Sequence, residues 1–223
     1  MRLAIVVPTL NEEEALARTL PAALSQADEV VISDGGSTDR TRQIAEELGA
    51  RTVCGPPGRG GQLNRGAAAA QADLLLFLHA DTELPPNAAA RIRTAVAEGA
   101  LGGAFFLRFD VDRPQLRLGA WLINQRTRLT RLPLGDQAHY ATRALFERLG
   151  GFKDWPILED LDFAWRLRKE GQMKMIDDRV TTAARRFLEG GVIRTVATNW
   201  LIWSLFCVGV SPHRLARLYK QIR

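Results

Sequence analysis

An acidic residue stands where a buried apolar run gives way to a loop. Asp81 follows the apolar run 73–78 and is preceded by His79. A carboxylate in that position can ligate a divalent cation that also takes diphosphate oxygens. The alternative is a loop carboxylate that caps the following helix. One acid alone leaves both readings open.

A second acid occupies the same kind of position earlier in the chain. Asp34 ends the apolar run 29–33 and precedes Gly35 and Gly36. Its carboxylate could accept a hydrogen bond from a nucleobase or a ribose, while the glycines let the backbone come close to a ligand. An ordinary Asx turn is the alternative.

A pair of adjacent acids opens a predicted helix. Glu159 and Asp160 follow the apolar segment 155–158, so one of them could act as a general base. Complementation of the helix dipole is the more ordinary role for acids at a helix start.

Two further polar pairs are candidates for ligand contacts. Asp136 and Gln137 follow a glycine in a predicted loop, and Arg185 and Arg186 could meet a diphosphate in bidentate fashion. Solvated side chains are the alternative for the arginines.

The elements that must position these residues alternate between strand and helix patterns. In the first half, strands are predicted at 2–7, 29–33, 51–54 and 73–78 and helices at 12–24, 38–49 and 62–70. This alternation predicts an α/β fold with a mainly parallel sheet between helices, and with ligands bound at the carboxyl ends of the strands. The second half is predicted to hold a strand at 103–109, a short strand or loop at 135–140, and helices at 86–98, 116–131, 143–149 and 159–170. We expect one domain at 1–191 and a helical C-terminal extension at 192–223.

Composition excludes several classes of protein. The 223 residues are 46% hydrophobic and 25% charged, which is typical of a globular domain and not of a disordered chain or a polytopic membrane protein. The two cysteines, Cys54 and Cys207, are too few for a disulfide framework and fit a reducing compartment. The start of the chain is too short an apolar run for a signal peptide. Neither the GxGxxG fingerprint nor the GxxxxGK[ST] loop is present.

The net charge of +5 is concentrated near the end of the chain. The body of the chain has neither basic residues interleaved with stacking aromatics nor a recognisable reader motif, so no nucleic-acid partner is predicted. The apolar stretch Thr195–Val210 is shorter than the ~20 residues that span a bilayer. It is followed by Arg214, Arg217, Lys220 and Arg223 at a spacing of three. These features suit an interfacial helix at an anionic membrane, or a helix that packs on the domain.

A set of motifs runs in a fixed order along the chain: Val6–Glu13, Val30–Thr41, Gly66, Leu76–Thr82, Gly150–Phe152 and Glu159–Asp160. In this order they closely resemble the family 2 glycosyltransferases with the GT-A fold, over roughly residues 2–190. The strings Leu78–Thr82 and Gly135–Gln137 are similar to those of a small bacterial subgroup described as glycosyltransferase-like. The sequence therefore implies the GT-A fold and an inverting transferase.

The resemblance also implies roles for single residues on the nucleotide-sugar side. Pro8, Thr9, Asn11 and Glu12 would lie along the nucleotide, and Asp34 would hold the base or ribose. Arg59 or Arg65 would assist the phosphates, and Asp136, Gln137, Arg185 and Arg186 complete the expected donor site.

The reacting groups are implied in the same way. Asp81 matches the last acid of the family's Asp-x-Asp metal motif and would bind Mn²⁺ or Mg²⁺, whereas His79 stands where that motif has its first acid. Asp160 matches the catalytic base, with Glu159 beside it. Arg185–Phe187 only faintly resembles the Gln-x-x-Arg-Trp string of processive members, so polymer synthesis is not expected.

The expected function is transfer of a sugar from a nucleotide-diphosphate donor, a UDP-sugar by preference, to an acceptor hydroxyl. The acceptor is left open between a lipid-linked and a small molecule. The expected location is the cytoplasm, with peripheral contact at the inner face of the plasma membrane through the C-terminus as an open alternative. Two other functions remain: a non-catalytic homologue that binds nucleotide or docks at a membrane, and a sugar nucleotidyltransferase.

Overall fold

The computed structural model describes residues 1–222 of the chain, and the side chains of residues 1–219. It is an α/β structure in which helices cover both faces of one sheet of eight strands. The strands are β1 Leu3–Thr9, β2 Glu29–Asp34, β3 Arg51–Cys54, β4 Leu74–Phe77, β5 Thr82–Glu83, β6 Gly102–Phe109, β7 His139–Thr142 and β8 Met173–Thr182.

The helices follow the predicted order closely. They are α1 Glu13–Leu24, α2 Thr41–Glu47, α3 Arg59–Ala69, α4 Ala88–Ala97, α5 Pro114–Thr130, α6 Arg143–Arg148, α7 Glu159–Lys169, α8 Arg185–Gly190, α9 Val192–Cys207 and α10 Pro212–Ile222. A short 3-10 helix, Gly135–Gln137, leads into β7.

The strand order is β3-β2-β1-β4-β7-β6-β8-β5. The first four strands are parallel, as the alternation of strands and helices predicts. β7 runs antiparallel to both of its neighbours, and β5 runs antiparallel to β8. The α/β prediction is confirmed, and the second half of the sheet is mixed.

The sheet is buried on both faces, which explains the continuous apolar runs of its central strands. Along β1, Leu3, Ile5 and Val7 pack into one core cluster, and Ala4 and Val6 pack into the other. α1, α4 and α5 cover the first face, and α3, α6 and α7 cover the second.

The sequence analysis missed β5 and the ten-residue strand β8. In β8, Asp177 and Asp178 form a bulge: the register with β6 jumps from Phe105 opposite Ile176 to Phe106 opposite Arg179. The two acids interrupt the apolar alternation by which a strand is recognised, so the pattern conceals the strand.

The helix α9 packs on the body of the protein with one face. Val196 joins the main core cluster, and Trp203 and Phe206 pack against a smaller one. The opposite face exposes Trp200 and Val208, among other apolar residues. Within residues 1–222, no helix is long and apolar enough to cross a bilayer.

The basic spacing predicted after α9 is only partly described. Arg214 and Arg217 lie on α10, whereas Arg223 and the side chain of Lys220 lie outside the described residues. Peripheral contact with a membrane stays a prediction.

Gly66 of α3 provides a test of the packing between this helix and β1. A Cβ at position 66 would come within 2.3 Å of Val6 Cγ1, whereas a Cβ at Gly61 of the same helix would meet its nearest neighbour at 3.8 Å. Overpacking costs roughly 1–3 kcal/mol, and alanine gains up to about 1 kcal/mol of helix propensity. We expect Gly66→Ala to lower the free energy of unfolding by about 1 kcal/mol in urea titrations, and Gly61→Ala to leave it equal or higher. Equal stability of the two variants would contradict this packing.

Candidate active site

The loops after β1 and β2 are held together by Asp34. Its carboxylate accepts hydrogen bonds from the N–H groups of Gly36 and Ser37 at 2.9 Å each, and from the hydroxyls of Ser37 and Thr9. Burial opposes its ionisation, but these donors lower the pKa of Asp34. The side chain is fully buried. The contacts of Asp34 are therefore those of the Asx turn that the sequence analysis gave as the alternative. In this arrangement no part of the carboxylate is accessible to a base or ribose.

The same two loops are tied at three further points. Asn11 donates its N–H to Ser37 Oγ, and its own Oδ1 accepts the N–H of Thr38, both at 2.9 Å. Gln62 of α3 donates to the carbonyls of Thr9 and Ser33 at 2.8 Å. Thr9 is buried, so of the predicted nucleotide-edge residues it is Pro8, Asn11 and Glu12 that are at least partly exposed. These ties hold the edge of the sheet as a preformed surface.

Glu12, Asp81 and Arg185 form a charged group at this edge. Partial burial raises the pKa of Glu12, and the negative charge of Asp81 raises it further, while Arg185 lowers it. Burial likewise raises the pKa of Asp81, again against Arg185. Two carboxyl groups that are harder to ionise than usual favour a cation between or beside them.

The donor set at Asp81 suits a metal ion that arrives with a phosphate ligand. Its carboxylate accepts a long hydrogen bond from Thr82 Oγ1, at 3.4 Å. Burial and the charge of Arg59 lower the pKa of His79 to about 3, so this imidazole is neutral. Among the described residues, no three His, Cys, Asp or Glu side chains form a closed metal cluster. An Mg²⁺-type ion bound by one or two carboxylates, substrate phosphates and water needs no such cluster.

Arg59, at the start of α3, meets the two acids at the start of α7. Its Nε bonds to Glu159 Oε1, and its Nη2 lies 3.9 Å from Asp160 Oδ2. The Glu159 side chain is 1% exposed and that of Arg59 is 42% exposed. Burial and the neighbouring Asp160 raise the pKa of Glu159. Leu158, just before the acids, adopts a φ of 65°, which is rare for a residue with a side chain.

Asp160 is held as a carboxylate despite its burial. Burial alone would raise its pKa, but Arg59 and the N–H groups of Gly135 and Leu161, at 2.6 and 2.7 Å, bring the pKa below the usual value. A Cβ at position 135 would lie 2.7 Å from His79 Nε2 and 3.0 Å from Asp160 Oδ2. Gly135 is therefore required where these two side chains converge.

Asp136 is the next acid in the same cluster. Burial raises its pKa to about 6, against the positive charge of the buried Arg126. Its Oδ1 is buried and has no hydrogen-bond partner among the described residues.

Two predicted ligand contacts take structural positions instead. Gln137 is fully buried. Its amide donates to Phe105 O and accepts from Thr127 Oγ1 and from the N–H of Leu134. Arg65 donates to the backbone carbonyl of Asp34 at 3.1 Å. Both side chains brace loops, because their polar groups face the main chain and not the cleft.

A cavity of about 220 Å³ joins the chemistry-bearing residues. It contains both Asp81 and Asp160 in its lining, although they lie 79 positions apart in the chain. Predicted residues in the lining are Arg59, Asp81, Asp136, Asp160 and Arg186, with His79 and Gly135 between them.

The far wall of the cavity was not predicted. It is built by Asn199, Ile202 and Trp203 of α9 and by Tyr219 of α10, and Arg186 stacks over the Tyr219 ring at 5.0 Å. Residues 199, 202, 203 and 206 recur at helical spacing, and this pattern could have predicted that one face of α9 packs inward. The sequence alone does not show that this face turns toward the site.

A family model described as "Glycosyl transferase family 2" matches residues 4–148. The chain belongs to this family. The match covers the parallel half of the sheet, the loop that carries Asp81 and the loop that carries Gly135, and it confirms the resemblance inferred from the motif order.

The family 2 chain is similar to several named proteins. An uncharacterized glycosyltransferase of Mycobacterium bovis is 32% identical over 97 residues, which are 43% of this chain and 44% of that protein. TarS 1–349 of S. aureus, solved with UDP, aligns with a TM-score of 0.64 and 20% identity over 88% of this chain and 64% of that one. The mannosyltransferase PcManGT of Pyrobaculum calidifontis, solved with GDP-Man and Mn²⁺, gives a TM-score of 0.67 and 20% identity over 98% and 68%.

These likenesses confirm the GT-A fold. The chain spans less than half the length of the curated relative named above, so the activity of that whole protein does not pass to this chain as a finding.

Removing the charge of Arg59 tests the acid cluster. In Arg59→Gln, Glu159 loses its partner, so its pKa in the folded state rises further above the unfolded value of about 4.3. The folded protein then holds a proton that the unfolded chain has released, and the free energy of unfolding falls as pH rises. A buried unpaired charge costs roughly 3–5 kcal/mol, and we expect about 2 kcal/mol because Arg59 is partly exposed.

The measurement is urea unfolding at about pH 5 and pH 8. Arg59→Gln with Glu159→Gln is the matched control, and it should recover most of the loss at the higher pH. An equal loss at both pH values in the single variant would show that Arg59 acts through packing and not through charge.

Proposed function

We propose that this protein is an inverting glycosyltransferase that moves a sugar from a nucleotide-diphosphate donor, a UDP-sugar, to an acceptor hydroxyl. The observation that carries the proposal is the single cavity lined by both Asp81 and Asp160. It offers a carboxylate for the metal-bound diphosphate and a second, ionised carboxylate for the attacking hydroxyl within one cavity.

The donor class is supported by the family and by the edge of the sheet. TarS was solved with UDP, and PcManGT with GDP-Man. In this chain Pro8, Asn11 and Glu12 form a braced, partly exposed edge that leads to Asp81. A nucleotide lying along this edge would bring its diphosphate to Asp81 and Arg185.

The proposed cofactor is Mn²⁺ or Mg²⁺, held by Asp81 with Glu12 nearby. The bound ion would neutralise the charge that develops on the diphosphate leaving group. Arg185 adds a positive charge at the same edge, because its field acts on both Glu12 and Asp81.

Asp160 is the proposed general base. As the acceptor oxygen attacks the anomeric carbon from the face opposite the diphosphate, its proton passes to the Asp160 carboxylate. The bond from that carbon to the diphosphate oxygen breaks, and the nucleoside diphosphate leaves with the electron pair. Attack from the opposite face inverts the anomeric centre, and no sugar becomes attached to the protein.

The other readings draw less support from the site. A purely nucleotide-binding homologue has no use for an ionised, buried Asp160 facing the same cavity as Asp81. In a sugar nucleotidyltransferase the sugar phosphate attacks phosphorus and no acceptor hydroxyl has to be deprotonated, so the ionised Asp160 in the cavity lining would have no role there. Contact of the exposed face of α9 with an anionic membrane remains a separate proposal.

Replacing Asp160 by Asn should abolish transfer and leave nucleotide binding nearly intact. The amide cannot take the acceptor proton, and loss of a general base costs roughly 10²–10⁴-fold in rate. The measurement is nucleotide release from UDP-sugars, with UDP affinity determined in parallel. The exposed Asp154→Asn is the matched control and should keep the wild-type rate. Full activity of Asp160→Asn would remove this residue from the role.

UDP should raise the unfolding temperature only when Mn²⁺ is present. At about a hundred times its dissociation constant a ligand adds roughly 2.7 kcal/mol to the free energy of unfolding. GDP, ADP, TDP and CMP serve as competitors for the identity of the base. The shift should vanish in Asp81→Ala and persist in Glu83→Ala, whose exposed side chain lies two positions further on. A shift that is independent of metal, or no shift at all, would contradict the proposal.

A further inference from the structure

The cavity extends beyond the groups that the donor reaction requires. From Asp81 and Asp160 it continues to α9 and α10, where Asn199, Trp203 and Tyr219 close it. The nucleotide-edge residues 8–12 are not part of its described lining. The end of the cavity near α9 is therefore lined by residues other than those of the proposed nucleotide edge.

Two buried polar atoms in this lining lack a partner among the described residues. They are Trp203 Nε1, which can only donate, and Asp136 Oδ1, which accepts when ionised. Buried polar groups in folded proteins are nearly always hydrogen-bonded, because an unpaired one costs about 1–3 kcal/mol. Both residues line the cavity, so a ligand that enters it is a partner available to them.

The shape of the surroundings fixes the indole in place. Trp203 packs against the small apolar cluster of Leu132, Leu161 and Ala164. A side chain held in this way presents its N–H at low entropic cost, as rigid aromatic anchors do in binding sites.

The remaining lining indicates the chemistry of the occupant. Ile157, Leu158 and Ile202 supply apolar surface, while the acids at 81, 136 and 160 face Arg59 and Arg186. A lining that combines apolar surface with three acids and two arginines suits a neutral ligand that has C–H faces and several hydroxyls. A hydroxyl both donates and accepts, so one such ligand can satisfy Trp203 and Asp136 together.

We propose that Trp203 and Asp136 form the acceptor subsite, and that it takes a small polyhydroxy molecule. The Trp203 N–H donates to one acceptor oxygen, and Asp136 Oδ1 accepts from a second hydroxyl while a third group approaches Asp160. This assignment rests on the proposed function, because it names the acceptor side of that reaction. It makes Trp203, from the C-terminal extension, a residue that determines acceptor specificity.

The binding test uses the indole N–H signals of the full-length protein. The five tryptophans give five signals, and Trp203 is assigned by the signal lost in Trp203→Phe. With Mg²⁺ and UDP present, methyl α-D-glucoside or glycerol should shift the Trp203 signal and leave that of Trp200 unchanged. Trp200 lies on the same helix and is 42% exposed. A Trp203 signal that neither probe moves would overturn the assignment.

The kinetic test follows nucleotide release from a UDP-sugar at rising concentrations of the same probes. Loss of one net hydrogen bond weakens binding roughly 3- to 10-fold. We expect Trp203→Phe and Asp136→Asn each to raise KM for the probe by that factor with a smaller change in kcat, and the matched Trp200→Phe to match the wild type. An unchanged KM in Trp203→Phe would also overturn the proposal.

The two tests separate this inference from the proposed function. A shifted Trp203 signal without turnover of any donor would support a polyol subsite and count against glycosyl transfer. Turnover that the probes accelerate equally in wild type and Trp203→Phe would support transfer and count against the subsite.

Discussion

The ion cluster of Arg59, Glu159 and Asp160 is the interaction on which the site depends. It joins the start of α3 to the start of α7, two helices from separate parts of the chain that cover the same face of the sheet. Without the guanidinium, two adjacent buried carboxylates could not both ionise. The arginine therefore lets one of them, Asp160, stay charged while it faces the cavity.

The hydrogen-bond donors around each acid determine whether it stabilises a loop or faces the cavity. Asp34 is surrounded by backbone and hydroxyl donors and is closed to ligands. Asp160 receives two N–H groups but still lines the cavity, and Asp136 keeps one oxygen unpaired. Residues of one chemical type thus serve different purposes because their hydrogen-bond partners differ.

Sequence reasoning was strongest where local pattern and fold agree. The parallel strands, the helix start at residue 159 and the loop position of Asp81 follow from apolar runs and their breaks, whereas α3 begins three residues before its predicted start at 62. It was weakest where a residue's role depends on distant partners. Gln137 stands in a polar loop string, yet its amide bonds to Phe105 and Thr127, which no spacing could indicate.

The strand β8 and the cavity wall formed by α9 were not predicted from the sequence, and the reason is the same for both. The bulge at Asp177 and Asp178 is defined by the register of β8 with β6. The inward orientation of Trp203 is defined by its packing against α7 and the loop after α5. Both are properties of the pairing and not of the segment itself. A single sequence specifies them through the whole fold, so they become visible only once the partners are placed.

If Asp81 holds the cation as proposed, His79 in place of a metal-motif acid would affect how the site assembles. The neutral imidazole would place one negative charge fewer around the cation, with Glu12 as a further carboxyl near Asp81. Such a site has low affinity for an isolated ion, because a hard cation needs several oxygen ligands. In the proposed reaction the diphosphate would supply the missing oxygens, so ion and donor would bind together. The charge of Asp160 is maintained by Arg59 and by the N–H groups of Gly135 and Leu161, which keep its pKa below the usual value.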